Sequence, residues 1–228
     1  MKSGQITRTG EIAYVFATVL TCLGVSLMTK ADFGLSMIVA PAYILSQKIA
    51  FLSFGTAEYV VQALLLIALF IALRKFEWRF LLTFASAIIY GAVLDLIILL
   101  TDAYTVPESI WVRIICYAVG LLISDAGVAM YFNSYLPPCC YDMFVREFAH
   151  GLKLNFNKVK IAYDVSSFLV SVLLSLIFFG GIRGIGVGTV VCVILNGLLI
   201  RMFNSAFSKI TDFSPAIPKL YDLIGTDK

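Results

Sequence analysis

The chain has little charge. Of its 228 residues only 14% are Asp, Glu, Lys or Arg, while 61% are hydrophobic; a soluble domain of this size carries about a quarter charged residues. That excludes an ordinary water-soluble domain, and with a mean hydropathy of +0.96 the chain reads as a small integral membrane protein. Histidine occurs once, and one histidine among scattered acids makes no metal site. The five cysteines are Cys22, Cys116, Cys139, Cys140 and Cys192. They contain no C-x-x-C pair, which removes the redox and zinc spacings. Cys22, Cys116 and Cys192 sit in apolar runs and read as small buried hydrophobes. No basic patch interleaved with aromatics is present, so the net charge of +3 concerns topology and gives no reason to expect nucleic acid. No small-residue cleavage site follows the first apolar run, which is expected to be a first span and not a signal peptide. A nucleophile elbow, a P-loop and a zinc-protease motif are all missing, so neither an enzyme nor a cofactor is expected.

What is there is a series of apolar runs. Spans are expected over Ile12 to Met28, Ala57 to Leu73, Phe80 to Leu100 and Ile114 to Met130, then from near Val159 and after the glycine-rich Gly180 to Thr189. Two weaker segments interrupt the series. Leu35 to Ile49 is broken by Pro41, and a second is opened by Pro137 and Pro138 and holds Asp142, Arg146, Glu147 and His150. The second is too polar for lipid and shorter than the ~20 residues that a span needs. Both read as broken or re-entrant pieces lining a cavity, where irregular backbone is satisfied by protein and water.

The second half repeats the plan of the first. Gly24-Val25 matches Gly127-Val128, Leu35 to Gln47 matches Leu136 to Ala149, and Phe54-Gly55-Thr56 matches Phe156-Asn157-Lys158. Thr83 with Gly91 recurs as Thr189 with Gly197, so that Asp95 corresponds to Arg201 and Gln62 to Asp164. The fold class expected is therefore all-α: a polytopic transmembrane bundle of two repeats, each with three long spans and a short segment. The repeats cover residues 1–103 and 104–207, with a cytoplasmic tail over 208–228. If both short segments are re-entrant there are six spans in inverted halves; if both span there are eight in parallel halves. The basic turn Arg74-Lys75-Arg79 favours six by the positive-inside rule, and either count leaves both termini in the cytoplasm.

Asp125 is the sharpest signal, because an acid inside a transmembrane helix costs at least ~2.5 kcal/mol and usually faces a bundle interior or water-filled path. It reads as a substrate or proton site, or as an acid reaching interfacial water near the end of its span. Lys160 and Asp164 lie four apart and either pair along one helix face or meet a ligand. Asp142 and Arg146 are likewise four apart. Arg146 either neutralises Asp142 or grips a carboxylate or phosphate with its planar fork. The glycines of 180–189 let backbone approach closely; with Arg183 among them, an anion at the helix N-terminus is the alternative.

Taken together, these motifs resemble the YczE/YyaS/YitT group of small bacterial membrane proteins. In that group the short segment reads G-x-x-P-W-D and the later motif x-P-G-x-G-T is followed by a glycine and an acid. Asp142 matches the first acid, Gly186, Gly188 and Thr189 match the second motif, and Asp95 matches the terminal acid of the first half. Tyr141 replaces the tryptophan, Arg183-Gly184 replaces proline-glycine, and Ser36-Met37 replaces the first-half proline and acid. The resemblance implies a membrane protein or transporter without naming a solute.

The function expected is transport of a small polar or zwitterionic solute at the repeat interface of a bacterial inner-membrane protein. The expected site is Asp125, Asp142, Arg146 and Asp164, with Ser36 and Pro41 from the first-half segment. The partners are the lipid bilayer and the solute, with room for a homo-oligomer or an energising partner. The competing expectation is a non-transporting membrane subunit that binds or stabilises another protein.

Overall fold

The computed structural model describes residues 6–8, 10–74, 78–103, 107, 109–134, 136, 139–210 and 212–214. Pro137 and Pro138 lie outside the described residues, as do residues 75–77 of the basic turn and 104–106 of the loop between the halves. Among the described residues eight helices follow one another: α1 (Gly10–Ala31), α2 (Ala40–Lys48), α3 (Phe54–Leu73), α4 (Trp78–Thr101), α5 (Ile110–Asn133), α6 (Cys140–Gly151), α7 (Phe156–Phe179) and α8 (Val187–Ile210). The order long, short, long, long thus occurs twice.

Six of these helices are long and apolar enough to cross a membrane, and the protein is a multi-pass membrane protein. The other two, α2 with 9 residues and α6 with 12, do not reach across. At a rise of 1.5 Å per residue they extend about 14 and 18 Å, well under the ~30 Å hydrocarbon core. One element was not expected: β1 (Ile6–Arg8) pairs in parallel with β2 (Asp212–Ser214), which ties the two ends of the chain together on one face of the bundle.

Small residues and caps decide how the helices meet. α1 runs antiparallel to α5, since Arg113 Nε donates to the Ala31 carbonyl (2.9 Å) at one end and Tyr131 O–H donates to Thr18 Oγ1 (2.8 Å) at the other. A side chain on Gly24 would collide with the Gly120 carbonyl and the Ser124 amide; one on Gly127 would collide with Thr21 Oγ1 and the Ala17 carbonyl. The same contact is made twice, once in each direction, and glycine is what allows the backbones this close. α1 is the central helix, with 50% of its apolar window buried, against 6% for the peripheral α8.

α3 begins at Ser53, whose side chain accepts from the Thr56 amide. Asp95 of α4 then accepts from Gly55 N–H (2.7 Å) and from Ser53 Oγ (2.5 Å). An acid beside the N-terminus of a helix complements its dipole and satisfies amides that have no intrahelical partner. Gly55 and Gly91 meet so closely that neither tolerates a Cβ. Asp95, the terminal acid of the motif, therefore ties α3 to α4.

The glycine-rich stretch before α8 behaves as the close-approach reading expects. Leu35 N–H donates to the Gly184 carbonyl (3.1 Å), and Gly188 N–H donates to the Phe33 carbonyl (2.8 Å). A Cβ on Gly186 would lie 2.5 Å from the Phe33 carbonyl. Arg183 stacks on Phe179, its guanidinium carbon 5.0 Å from the ring centre.

Candidate functional site

A cavity of about 520 Å³ is lined by residues from both α1–α4 and α5–α8. Helical periodicity builds its wall, because residues three and four apart share a face. α5 contributes Leu121, Asp125, Val128 and Phe132; α7 contributes Phe156, Lys160 and Asp164; α1 contributes Thr21, Val25 and Met28. α8 adds Cys192, Asn196 and Gly197. Both short segments reach it as well, through Ser36 to Val39 ahead of α2 and through Cys139, Tyr141 and Asp142 at the start of α6.

Asp125 is held in this wall by the packing of α5. Gly120 and Gly127 face α1 on one side of the helix, and Asp125 lies five residues after Gly120, which turns it well away from that contact. Its side chain is only 2% exposed, and its Oδ2 has no hydrogen-bond partner among the described residues. It stands eight residues from the end of α5 at Asn133, about 12 Å along the axis. The carboxyl is buried in the bundle and lines a cavity. A buried carboxylate oxygen without a partner costs free energy unless something supplies the missing bond.

Lys160 and Asp164 form the pair that their spacing allows, at 3.2 Å. Asp142 stands at the start of α6, outside the six spans. Burial pushes its carboxyl above the usual range; Lys160 pulls it down, Asp164 adds to the rise, and Arg146 pulls it down again. Of the expected site residues, the structure thus brings Asp125, Asp142, Asp164 and Ser36 to one cavity. Arg146 is exposed on α6 and does not line it. Pro41 is buried in the first turn of α2, where its fixed φ suits a helix start, and it too stays outside the lining.

A second buried acid was not foreseen. Glu58 of α3 is fully buried. Its Oε2 accepts from Tyr141 O–H (2.6 Å) and from Gln62 Nε2 (3.4 Å), while Gln62 Oε1 accepts from the Cys140 amide (3.1 Å). These bonds latch the start of α6 onto α3 and occupy one of the free amides of its first turn. One signal in the sequence points there: the register that matches Gln62 with Asp164 also matches Glu58 with Lys160. Each half therefore carries a polar pair four residues apart on its third helix. In the first half that pair grips the short helix of the other half; in the second half it faces the cavity.

The halves differ at one further place. α3 packs along α4, whereas among the described residues α7 does not pack along α8. Asn157 occupies the position matched to Gly55, so the close glycine contact is not available, and a Cβ on Gly197 would meet nothing within 4 Å. Gly197 lines the cavity instead.

The family model of DUF6198, described as a family of unknown function, matches residues 8–205. The chain belongs to this family. The match takes in α1 to α7 and most of α8, including every residue of the cavity wall. Among curated proteins, the chain is similar to the uncharacterized protein YyaS of Bacillus subtilis (strain 168), 29% identical over 193 residues, covering 83% of this chain and 90% of that one. The YyaS part of the expected resemblance is thus met by a DUF6198 chain. No solved structure matches it.

Proposed function

We propose that this protein is a transporter that moves a small polar or zwitterionic solute through the cavity between two inverted repeats. The observation that carries the reading is a cavity of about 520 Å³ reached by both short segments and lined by a buried acid with an unpaired oxygen. Transporters built from inverted repeats place their sites near the midplane, at discontinuous helices of the repeat interface, and 300–1,000 Å³ is the usual range for small-molecule sites.

The repeat reading is supported by the reciprocal glycine contacts of α1 and α5. It is supported again by matched pairings of the short helices, α6 on α3 and α2 on α7. The two pairings differ in detail. α6 is latched by Glu58 and Gln62, while the matching Lys160 and Asp164 face open cavity. In an alternating-access cycle the two sides exchange these arrangements. The wider grouping with YczE- and YitT-like proteins rests on the motifs alone.

With six spans, and with each short helix returning to the face it left, the termini share a face with Arg74, Lys153 and Lys158. Lys and Arg concentrate in cytoplasmic loops. That supports a bacterial cytoplasmic membrane with both termini inside. The competing reading is a subunit that binds a partner protein without transport, and the exposed apolar surface of α8 is what favours it. Uptake of a labelled metabolite panel into proteoliposomes separates the two. A transporter accumulates at least one solute, and the Asp125→Asn protein, equally folded, accumulates less of it. A panel-wide result equal to empty liposomes contradicts transport.

A further inference from the structure

Charge around the cavity is unbalanced. Its lining holds three carboxylates, Asp125, Asp142 and Asp164, against one ammonium, Lys160. That ammonium is already engaged, 3.2 Å from Asp164. Binding a carboxylate here would require a free cation, and Arg146, the residue suited to that task, is exposed outside the lining. Asp125 is the opposite case: 2% exposed, with one oxygen that no donor among the described residues reaches. The rest of the wall is mostly apolar, and Tyr90, Tyr131 and Tyr141 are among its residues. Aromatic faces attract ammonium groups, most of all where water is excluded.

We infer that the cavity takes an organic monocation, a protonated or quaternary amine on an apolar body, with Asp125 as its counter-ion. The inference rests on reading the cavity as the solute site and narrows the solute to one charge class. A sodium ion would leave the apolar wall unused. An organic cation uses both the acid and the wall. It places its charge against Asp125 and its body against Val25, Leu121 and Val128 of the same wall.

Binding is measured by titration calorimetry on the purified full chain in detergent, with probes that share a phenyl group and differ in charge. Benzyltrimethylammonium and 2-phenylethylammonium are the cations, phenylalanine the zwitterion and 3-phenylpropionate the anion. At least one cation is expected to bind saturably and the anion not at all. Asp125→Asn weakens the cation at least about 30-fold, the loss typical of removing one partner of a buried charge pair. Lys160→Gln, at a partly exposed position, removes the competing positive charge and leaves Asp164 without its pair, and both changes tighten it. If Asp125→Asn does not fold, the Lys160→Gln result decides alone.

Saturable binding of neither cation, binding of phenylpropionate or phenylalanine as tight as the cations, or weaker cation binding in Lys160→Gln overturns the inference. Its failure is separable from that of the transport reading. Cation binding without uptake into proteoliposomes keeps the site and contradicts transport. Uptake of an anion or zwitterion without cation binding keeps transport and contradicts the charge class.

Discussion

Tyr141→Phe removes one oxygen from the latch that holds α6 against α3. In the wild type, Glu58 Oε2 accepts from Tyr141 O–H at 2.6 Å, and the other carboxyl oxygen has no partner among the described residues. The substitution leaves Glu58 with only the 3.4 Å contact from Gln62 in a fully buried site. Losing a hydrogen bond to a buried acid costs about 1.5–3 kcal/mol, and the phenyl ring keeps the packing against Tyr163. In the alternating-access reading, the cost falls on the state in which α6 is latched. A 2 kcal/mol loss then moves the equilibrium between the two states by about 30-fold.

Two assays read this change. Thermal unfolding in detergent reports the lost bond as a lower Tm. Labelling of a cysteine at Ser36, in a background without the natural cysteines, reports the redistribution as a change in the fraction reactive from each face. Gln62→Leu, which takes away the acceptor of the Cys140 amide, acts in the same direction. Unchanged Tm and unchanged labelling in both variants would refute the latch. A lower Tm with unchanged labelling would leave the bonds as ordinary packing.

Matched glycines give a second prediction. Gly91→Ala puts a methyl group 2.5 Å from the Gly55 carbonyl and forces α3 from α4, at the 1–3 kcal/mol typical of overpacking; Gly197→Ala touches nothing and gains about 1 kcal/mol of helix propensity. Thermal unfolding of the two variants should move in opposite directions, and equal loss in both contradicts the asymmetry between the halves. Tyr117→Phe removes the donor to the Gly188 carbonyl, a buried 2.6 Å bond between α5 and α8, and should destabilise by about 1 kcal/mol in denaturation monitored by circular dichroism. If Asp125 exchanges a proton during transport, uptake by the wild type depends on external pH and the residual uptake by Asp125→Asn does not; matching pH profiles would remove it from any proton step.

The six spans were legible because each is an apolar run long enough to cross a bilayer. The short segments stood out by length and polarity. Asp125 was legible for the same reason, as a charge where lipid tolerates none. Glu58 escaped because it is the second residue of the run beginning at Ala57, where an acid ordinarily reaches the membrane surface. Its partner Tyr141 is 83 residues away, and only folding brings α6 onto α3.

Helical phase, which charge spacing alone does not give, puts Arg146 outside the cavity lining. Tyr141, Val145 and Ala149 are the buried row of α6, and Arg146 follows Val145 by one residue, about 100° round the helix. Asp142 shares that outward drift but sits at the very start of α6, where the cavity reaches it. Asn157 in place of Gly55 was visible in the aligned halves. Its consequence, a third helix that does not close on the fourth, needed the contact between Gly55 and Gly91 to be seen first.

Alternating access requires that the cavity open to both faces of the membrane in turn. Ser124, beside Asp125 in the wall, is replaced by cysteine in a background without the natural cysteines. It is then exposed to a membrane-impermeant maleimide in intact cells and, separately, in inverted vesicles. Labelling is expected in both preparations, with the Tyr141→Phe substitution raising one rate and lowering the other. Labelling from a single face, unaltered by that substitution, would contradict it and leave a binding pocket in a protein that does not transport.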